Sequence, residues 1–495
     1  MLTLGIDLGS SSVKASVFDV ASGKSISSGH YPETELAIEA PSPGWAEQDP
    51  EVWWQCTLEA ARRAMSNSLV DPQKIEAIGI SYQMHGLVLV DKNMKVVRPA
   101  IIWCDSRAVG VGDEAARALG DTYCQTHLLN SPGNFTASKL RWVIQNEPGK
   151  YNQVHKFMLP GDYLALKLTG QLNTTASGLS EGILWDFEQQ EIAEKLLRHY
   201  DISGHLVPEI VPTFGNVCHL NDESAMALGL KSGIPVSYRA GDQPNNAFSL
   251  NVTDPGEVAA TAGTSGVIYA VTEKNLTDKA SRVNTFLHVT QTADERRNGV
   301  LLCINGTGIL NSWLKKNLGA GQRSYEQMNE MAAGIDVGSD GLLFYPFGNG
   351  AERVLQNRIL NATLAGLDFN RHTSEHILRA GQEGVAFALN YGFEALREIG
   401  LESEVIRAGR ANMFLSPVFR EAFVNTTGIT VELYETDGAE GAARAAAYGA
   451  GFYSSLDEAF KNLKPTHQIS PENPVREQYQ KTYERWKTGL EDQLT

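Results

Sequence analysis

Short apolar runs broken by turn residues open the chain. Leu2 to Ile6 and Val13 to Phe18 read as strands joined by the turn Asp7-Leu8-Gly9-Ser10-Ser11-Ser12. Further strands are expected near residues 76–81 and 87–91, and extended segments at 210–219 and 234–240. Between them, Asp49 to Ser66 carries a helical pattern with a good start: Asp49 can cap, Pro50 suits the first turn, and Glu51 favours the positive end of the helix dipole. Residues 139–145 and 161–167 also read as helical. From Glu257 a second strand set begins. The pattern then predicts helix at 372–399, strand at 404–408, helix at 414–426, strand at 429–433 and helix at 439–453. This alternation predicts an α/β fold in layers, with a break near residue 247 that separates residues 1–247 from 248–495.

A chain of 495 residues with 42% hydrophobic and 20% charged content is globular and too long for one core, so two domains with a cleft between them are expected. A formal net charge of −16 argues against nucleic acid or an anionic membrane as partner and leaves small-molecule ligands. The five cysteines show no paired spacing, so neither a disulfide framework nor a zinc site is expected. No apolar stretch approaches the ~20 residues of a membrane span and no export signal is evident, which makes the cytoplasm the expected location.

Two clusters suggest a nucleotide held between halves. Gly5-Ile6-Asp7-Leu8-Gly9-Ser10-Ser11-Ser12 and Gly263-Thr264-Ser265-Gly266 each sit between strand-like runs. Glycine there permits positive φ and lets backbone N–H groups approach an anion, while the neighbouring hydroxyls add donors. The pattern is neither GxxxxGK[ST] nor GxGxxG. Asp7, beside the first turn, would repel a triphosphate unless a hard cation such as Mg2+ intervened; it would serve equally as a turn cap. Asp242, in Ala240-Gly241-Asp242-Gln243-Pro244, ends an extended apolar segment. There a carboxylate can accept the proton of a sugar hydroxyl during phosphoryl transfer, or cap a helix. Gln83-Met84-His85 and Asp105 also stand at strand ends, where open α/β sheets bind ligands, and they supply the donors, acceptors and apolar wall a polyol needs. The same observations fit a structural histidine and an Asp105–Arg107 ion pair. Trp45 and Trp53 read as core.

Gly5 to Gly9, Trp45-Ala46-Glu47-Gln48-Asp49-Pro50, Gln83-Met84-His85-Gly86, Gly241-Asp242-Gln243 and Gly263 to Gly266 together resemble the FGGY carbohydrate kinases, and the likeness runs over nearly the whole chain. The resemblance implies two actin-like (ribonuclease-H-like) lobes with a central cleft, the sugar on the first lobe and ATP between the two. It implies Asp242 as general base and Asp7 as the residue that helps hold Mg–ATP. Gly9, Ser10, Ser11 and Gly263, Thr264, Ser265, Gly266 would surround phosphate, and Gln83, Met84, His85, Asp105 and Gln243 the sugar. Met84-His85-Gly86 is typical of members that phosphorylate xylulose. Adenosine would lie near Gly409, Arg410 and Asn412, where Ala408 and Arg410 interrupt the family's glycine run, so Arg410 is expected to stack on the base or contact phosphate. Val354-Leu355 and Gly381-Gln382 are further departures from the family's signatures. A homodimer is left open. The rival readings are a kinase for ribulose, fuculose, gluconate or glycerol, and a sugar sensor or actin-like ATPase without transfer.

Overall fold

The computed structural model describes residues 1–318 and 322–495. Its first half builds on β1 (Leu2–Leu8), β2 (Val13–Asp19), β3 (Lys24–Tyr31), α1 (Pro50–Met65), β4 (Ile75–Tyr82), α2 (Thr136–Asn146), α3 (Pro160–Thr169), α4 (Ala176–Glu181), β5 (Phe214–His219) and β6 (Pro235–Gly241). The sheet order is β5-β6-β4-β1-β2-β3. Asp49 caps α1 by accepting the Glu51 N–H at 2.9 Å, and Pro50 occupies the first turn as the sequence suggests.

The second half repeats the plan. After α5 (Asp242–Ser249) come β7 (Val258–Ala262), β8 (Gly266–Thr272), β9 (Asn284–Leu287), β10 (Asn298–Ile304), α6 (Gly308–Leu318), α7 (Ser374–Glu398), β11 (Val405–Gly409), α8 (Pro417–Thr427), β12 (Thr430–Tyr434), α9 (Gly438–Gly449) and β13 (His467–Ile469). The sheet order is β9-β10-β8-β7-β11-β12-β13. In each sheet an antiparallel meander (β1-β2-β3; β7-β8-β10) is followed by two strands parallel to its first member. This is the ribonuclease-H-like lobe, present twice. The repetition lies in topology; in the sequence only the two turns betray it.

Two helices at the lobe junction each serve the other half. α9 lies on the sheet of the first half, and the approach is so close that a Cβ on Gly5 would stand 1.9 Å from the Ala439 carbonyl and one on Gly79 2.1 Å from that of Ala442. The alanine-rich face of α9 permits this: Ala442, Ala443, Ala445 and Ala447 join Phe18, Tyr238, Ala240 and Phe248 in one buried cluster. Buried hydroxyls pin the contact, Thr3 donating to the Ala443 carbonyl at 2.7 Å and Ser237 to that of Ala446 at 2.8 Å. α5 leaves the first sheet and packs against α9, where Asn245 Nδ2 donates to the Gly438 carbonyl at 2.9 Å. These crossed helices form the floor of the cleft. All five cysteines are unpaired. Among the described residues no helix is long and apolar enough to cross a membrane.

Candidate active site

Strand register delivers the chemistry to one place. β1, β4 and β6 are parallel, and their last residues Leu8, Tyr82 and Gly241 lie side by side. The residues around those ends, Asp7, Gln83 to His85 and Asp242, therefore meet at the carboxyl edge of the sheet, where parallel strands leave a crevice. The second lobe presents its own carboxyl edge, with Ala260 beside Ala408 and Gly409 beside Tyr434. A cavity of ≈ 530 Å³ between the lobes is lined by Asp7, Gly9, Ser10, Ser11, Gln83, Met84, His85, Asp242, Gln243, Thr264 and Ser265, with Asn134, Phe135 and Arg353 among its other walls. A second cavity of ≈ 310 Å³ shares Asp7, Lys14, Gln243, Thr264 and Ser265 and adds Gly263, Gly409, Asn412, Thr436 and Asp437.

Asp242 is the first residue of α5, directly after β6. Burial, followed by the like charge of Asp7, pushes its carboxyl up to about 7. Asp7 accepts a hydrogen bond from Ser81 Oγ at 2.7 Å and pairs in register with Lys14. Burial also raises its pKa, and Asp437 adds to the repulsion. Gly438 is needed beside it, because a Cβ there would stand 2.5 Å from Asp7 Oδ2. The clustered Asp7, Asp242 and Asp437 suit a cation that keeps most of its water. Among the described residues no three acidic, histidine or cysteine side chains converge as a direct metal-ligand set.

The first-lobe wall of the larger cavity is rich in acceptors. His85 has a left-handed backbone, φ 61°, unusual for a non-glycine residue. It is held there by its N–H to Glu181 Oε2 at 3.1 Å and by Lys139 Nζ on its carbonyl at 2.8 Å. Because the Glu181 carbonyl, 2.9 Å from His85 Nδ1, can only accept, Nδ1 carries the proton and Nε2 is an acceptor. Desolvation, reinforced by Lys139, lowers the imidazole to about 3, so it is neutral at physiological pH. Gln83 is tied through Nε2 to Gln48 at 3.3 Å, and its buried Oε1 has no partner among the described residues. Asn134 Oδ1 is likewise buried and unpartnered. A polyol's hydroxyls would satisfy these acceptors, which are otherwise destabilising. Met84 closes the apolar side, against Gly241, where a Cβ would stand 2.6 Å from Met84 Cγ.

Three expected site residues are not brought to these cavities. Asp105 is fully buried and its carboxylate already engaged, accepting Ala46 N–H at 2.6 Å and the Arg107 guanidinium at 2.7–3.0 Å. It supports the wall through its carbonyl, which accepts the Asn134 amide. Arg107 in turn lies over Trp45, its guanidinium carbon 3.8 Å from the ring centroid, so the ion-pair reading of this segment holds. Arg410 extends over the surface to Glu435 at 2.9 Å, and the wall of the second cavity is formed instead by its neighbours Gly409, Ala411 and Asn412. Gly266 lies under the second turn, where a Cβ would meet Thr307 Oγ1 at 2.6 Å, so its glycine serves packing.

The turn glycines also differ from expectation in their reason. Neither Gly9 nor Gly263 has positive φ. Their lack of a side chain leaves the cavity open, and α6 docks on the second turn by Gly308 N–H to the Gly263 carbonyl at 2.8 Å and Ile309 N–H to that of Thr264 at 3.1 Å. Asn134, Phe135, Arg353, Thr436 and Asp437 escaped the sequence reading as site residues. Asn134, Phe135, Thr436 and Asp437 belong to loops and Arg353 opens a short 3-10 helix, segments that only the sheet topology carries to the cleft.

Two ribonuclease-H-like lobes facing each other across such a cleft define the actin-like fold class. The FGGY family of carbohydrate kinases, N-terminal domain, matches residues 2–249, and the C-terminal domain of that family matches residues 258–450. The chain belongs to the FGGY family and is a carbohydrate kinase. Xylulose kinase from Bacillus subtilis (strain 168) is 31% identical over 464 residues, covering 92% of this chain and 89% of the relative. The solved xylulose kinase of Rhodospirillum rubrum superposes with a TM-score of 0.84 at 25% identity, covering 99% of this chain and 98% of the other. A gluconate kinase from Lactobacillus acidophilus shares the fold, with a TM-score of 0.89 at 20% identity over 100% of this chain and 99% of the other.

Proposed function

We propose that this carbohydrate kinase uses ATP to phosphorylate D-xylulose at its terminal hydroxyl, giving D-xylulose 5-phosphate. The observation that carries this reading is the carboxylate of Asp242, tuned to about 7 and sharing one cavity with the glycine turns and with the acceptors of the sugar wall. A base with a pKa near the working pH combines a large ionised fraction with real proton affinity. Neutral His85, Gln83 and Asn134 receive the ketose hydroxyls, Met84 covers its carbon skeleton, and Gln243 stands between sugar and nucleotide. Such positioning converts the encounter into a near-unimolecular step.

On the nucleotide side, Gly9, Ser10 and Ser11 face Gly263, Thr264 and Ser265 across the triphosphate, and Gly409 and Asn412 lie toward the adenosine. Mg2+ carried by ATP would neutralise phosphate charge. Asp7 holds its place beside the phosphates through the Ser81 hydroxyl, with Asp437 adding a second carboxylate. Closure of the lobes over both ligands would exclude water as a competing acceptor.

Ranking acceptors by kcat/KM tests the substrate. D-xylulose is expected above ribulose, gluconate and glycerol by at least about tenfold, the net worth of roughly one hydrogen bond. A higher value for any of the other three removes the xylulose assignment.

A further inference from the structure

The second lobe sends a cation to the sugar end of the cleft that no carboxylate among the described residues pairs with. Arg353 follows the short strand Ala351–Glu352 and lines the same cavity as Met84, His85 and Asp242. Its guanidinium carbon lies 5.8 Å from the centroid of the Phe135 ring. Phe135 belongs to the first lobe and meets His85 edge-on at 4.9 Å, so the guanidinium stands beside the sugar wall. Among the described residues it makes no ion pair and no side-chain hydrogen bond. The adjacent carboxylate does not serve it, because Glu352 is fully buried and accepts the N–H groups of Asn305 at 3.0 Å and Gly306 at 3.1 Å. Burial lowers the arginine's pKa, and its charge helps hold His85 neutral.

A guanidinium left without a counter-charge in a partly desolvated cleft is unfavourable until an anion arrives, and its planar fork suits phosphate oxygens in particular. The sugar wall is built for neutral hydroxyls. The anion that reaches this end of the cavity during the reaction is the phosphoryl group. The geometry points to Arg353 as a catalytic residue of the second lobe, binding the phosphoryl group as it arrives on the sugar oxygen and holding the phosphate ester product. This rests on the phosphoryl transfer proposed above. In that step the bond from the γ-phosphorus to the β–γ bridging oxygen breaks and its electron pair leaves with ADP. A bond forms from the sugar oxygen to phosphorus, and the hydroxyl proton passes to Asp242. Arg353 exchanges no proton; it meets the charge on the transferred oxygens at the acceptor end, with Phe135 of the facing lobe against the guanidinium.

The test compares Arg353→Gln and Arg353→Lys with the wild type by calorimetric titration of D-xylulose and, separately, of D-xylulose 5-phosphate into the nucleotide-free protein, together with steady-state kinetics. For Arg353→Gln, affinity for the phosphate ester is expected to fall about tenfold to a hundredfold, while affinity for the free ketose changes by about twofold at most. The same variant should lose about 10²–10³ in kcat. Arg353→Lys, which keeps the charge without the fork, should lie between, and thermal unfolding should be unchanged in both. Unaltered ester affinity in Arg353→Gln overturns the proposal. So does a loss confined to the free ketose, or to gluconate, whose carboxylate is the other anion a sugar kinase could present to this arginine. If the wild type prefers another acceptor, the xylulose assignment falls, yet the comparison made with that acceptor and its phosphate ester still decides the role of Arg353.

Discussion

At the scale of single residues the site is a balance of charges. Asp242 and Asp7 face the same cavity; Asp7 raises the affinity of Asp242 for a proton, and Asp437 that of Asp7. Because only the ionised carboxylate accepts the hydroxyl proton, kcat/KM is expected to fall with decreasing pH below about 7, approaching a tenfold loss per unit. A profile flat between pH 5.5 and pH 8 would remove Asp242 as base. His85 adds no inflection in that range, since its pKa lies near 3. Asp242 was legible as a candidate because it follows an apolar strand. Asp105 was not separable from a ligand, because an acidic residue at a strand end looks the same in sequence whether its oxygens face a cavity or a neighbouring arginine two residues on. Arg410 misled for a related reason. The small residues around it do line the cavity, while its own side chain takes the opposite side of the chain to reach Glu435.

At the scale of elements, the seating of α9 on the first sheet governs the site's geometry, because the helix begins beside Asp7. Adding a methyl group at Gly79 would put Cβ 2.1 Å from the Ala442 carbonyl, a backbone atom that moves only with the helix. Gly79→Ala is expected to lower stability by about 1–3 kcal/mol in denaturant unfolding, the usual penalty for overfilling a packed contact. Unchanged stability would contradict the proximity. Many of the helices and strands, α1, α7, β11, α8 and β12 among them, were readable from periodicity and capping, whereas α6, β9 and β10 were not. The exchange of α5 and α9 between lobes was hidden, since the alanines and glycines of α9 fit any close helix packing and the largely polar α5 carries no address.

At the scale of the whole molecule, the two lobes repeat one topology and present the same edge to a shared cleft. That arrangement brings together a base at residue 242, turns near 9 and 264, and an arginine at 353, groups spread over most of the chain. No local pattern encodes such a meeting; the strand order does. In the proposed reaction, transfer to the sugar hydroxyl runs through Asp242 inside this cleft. It is tested most directly by the rate of ADP release from Asp242→Asn and wild type with ATP and D-xylulose, each also measured without the ketose. The wild type is expected to release ADP only when the ketose is present, and the variant at a rate about 10²–10⁴ lower. Equal ketose-dependent rates in the two proteins would contradict it.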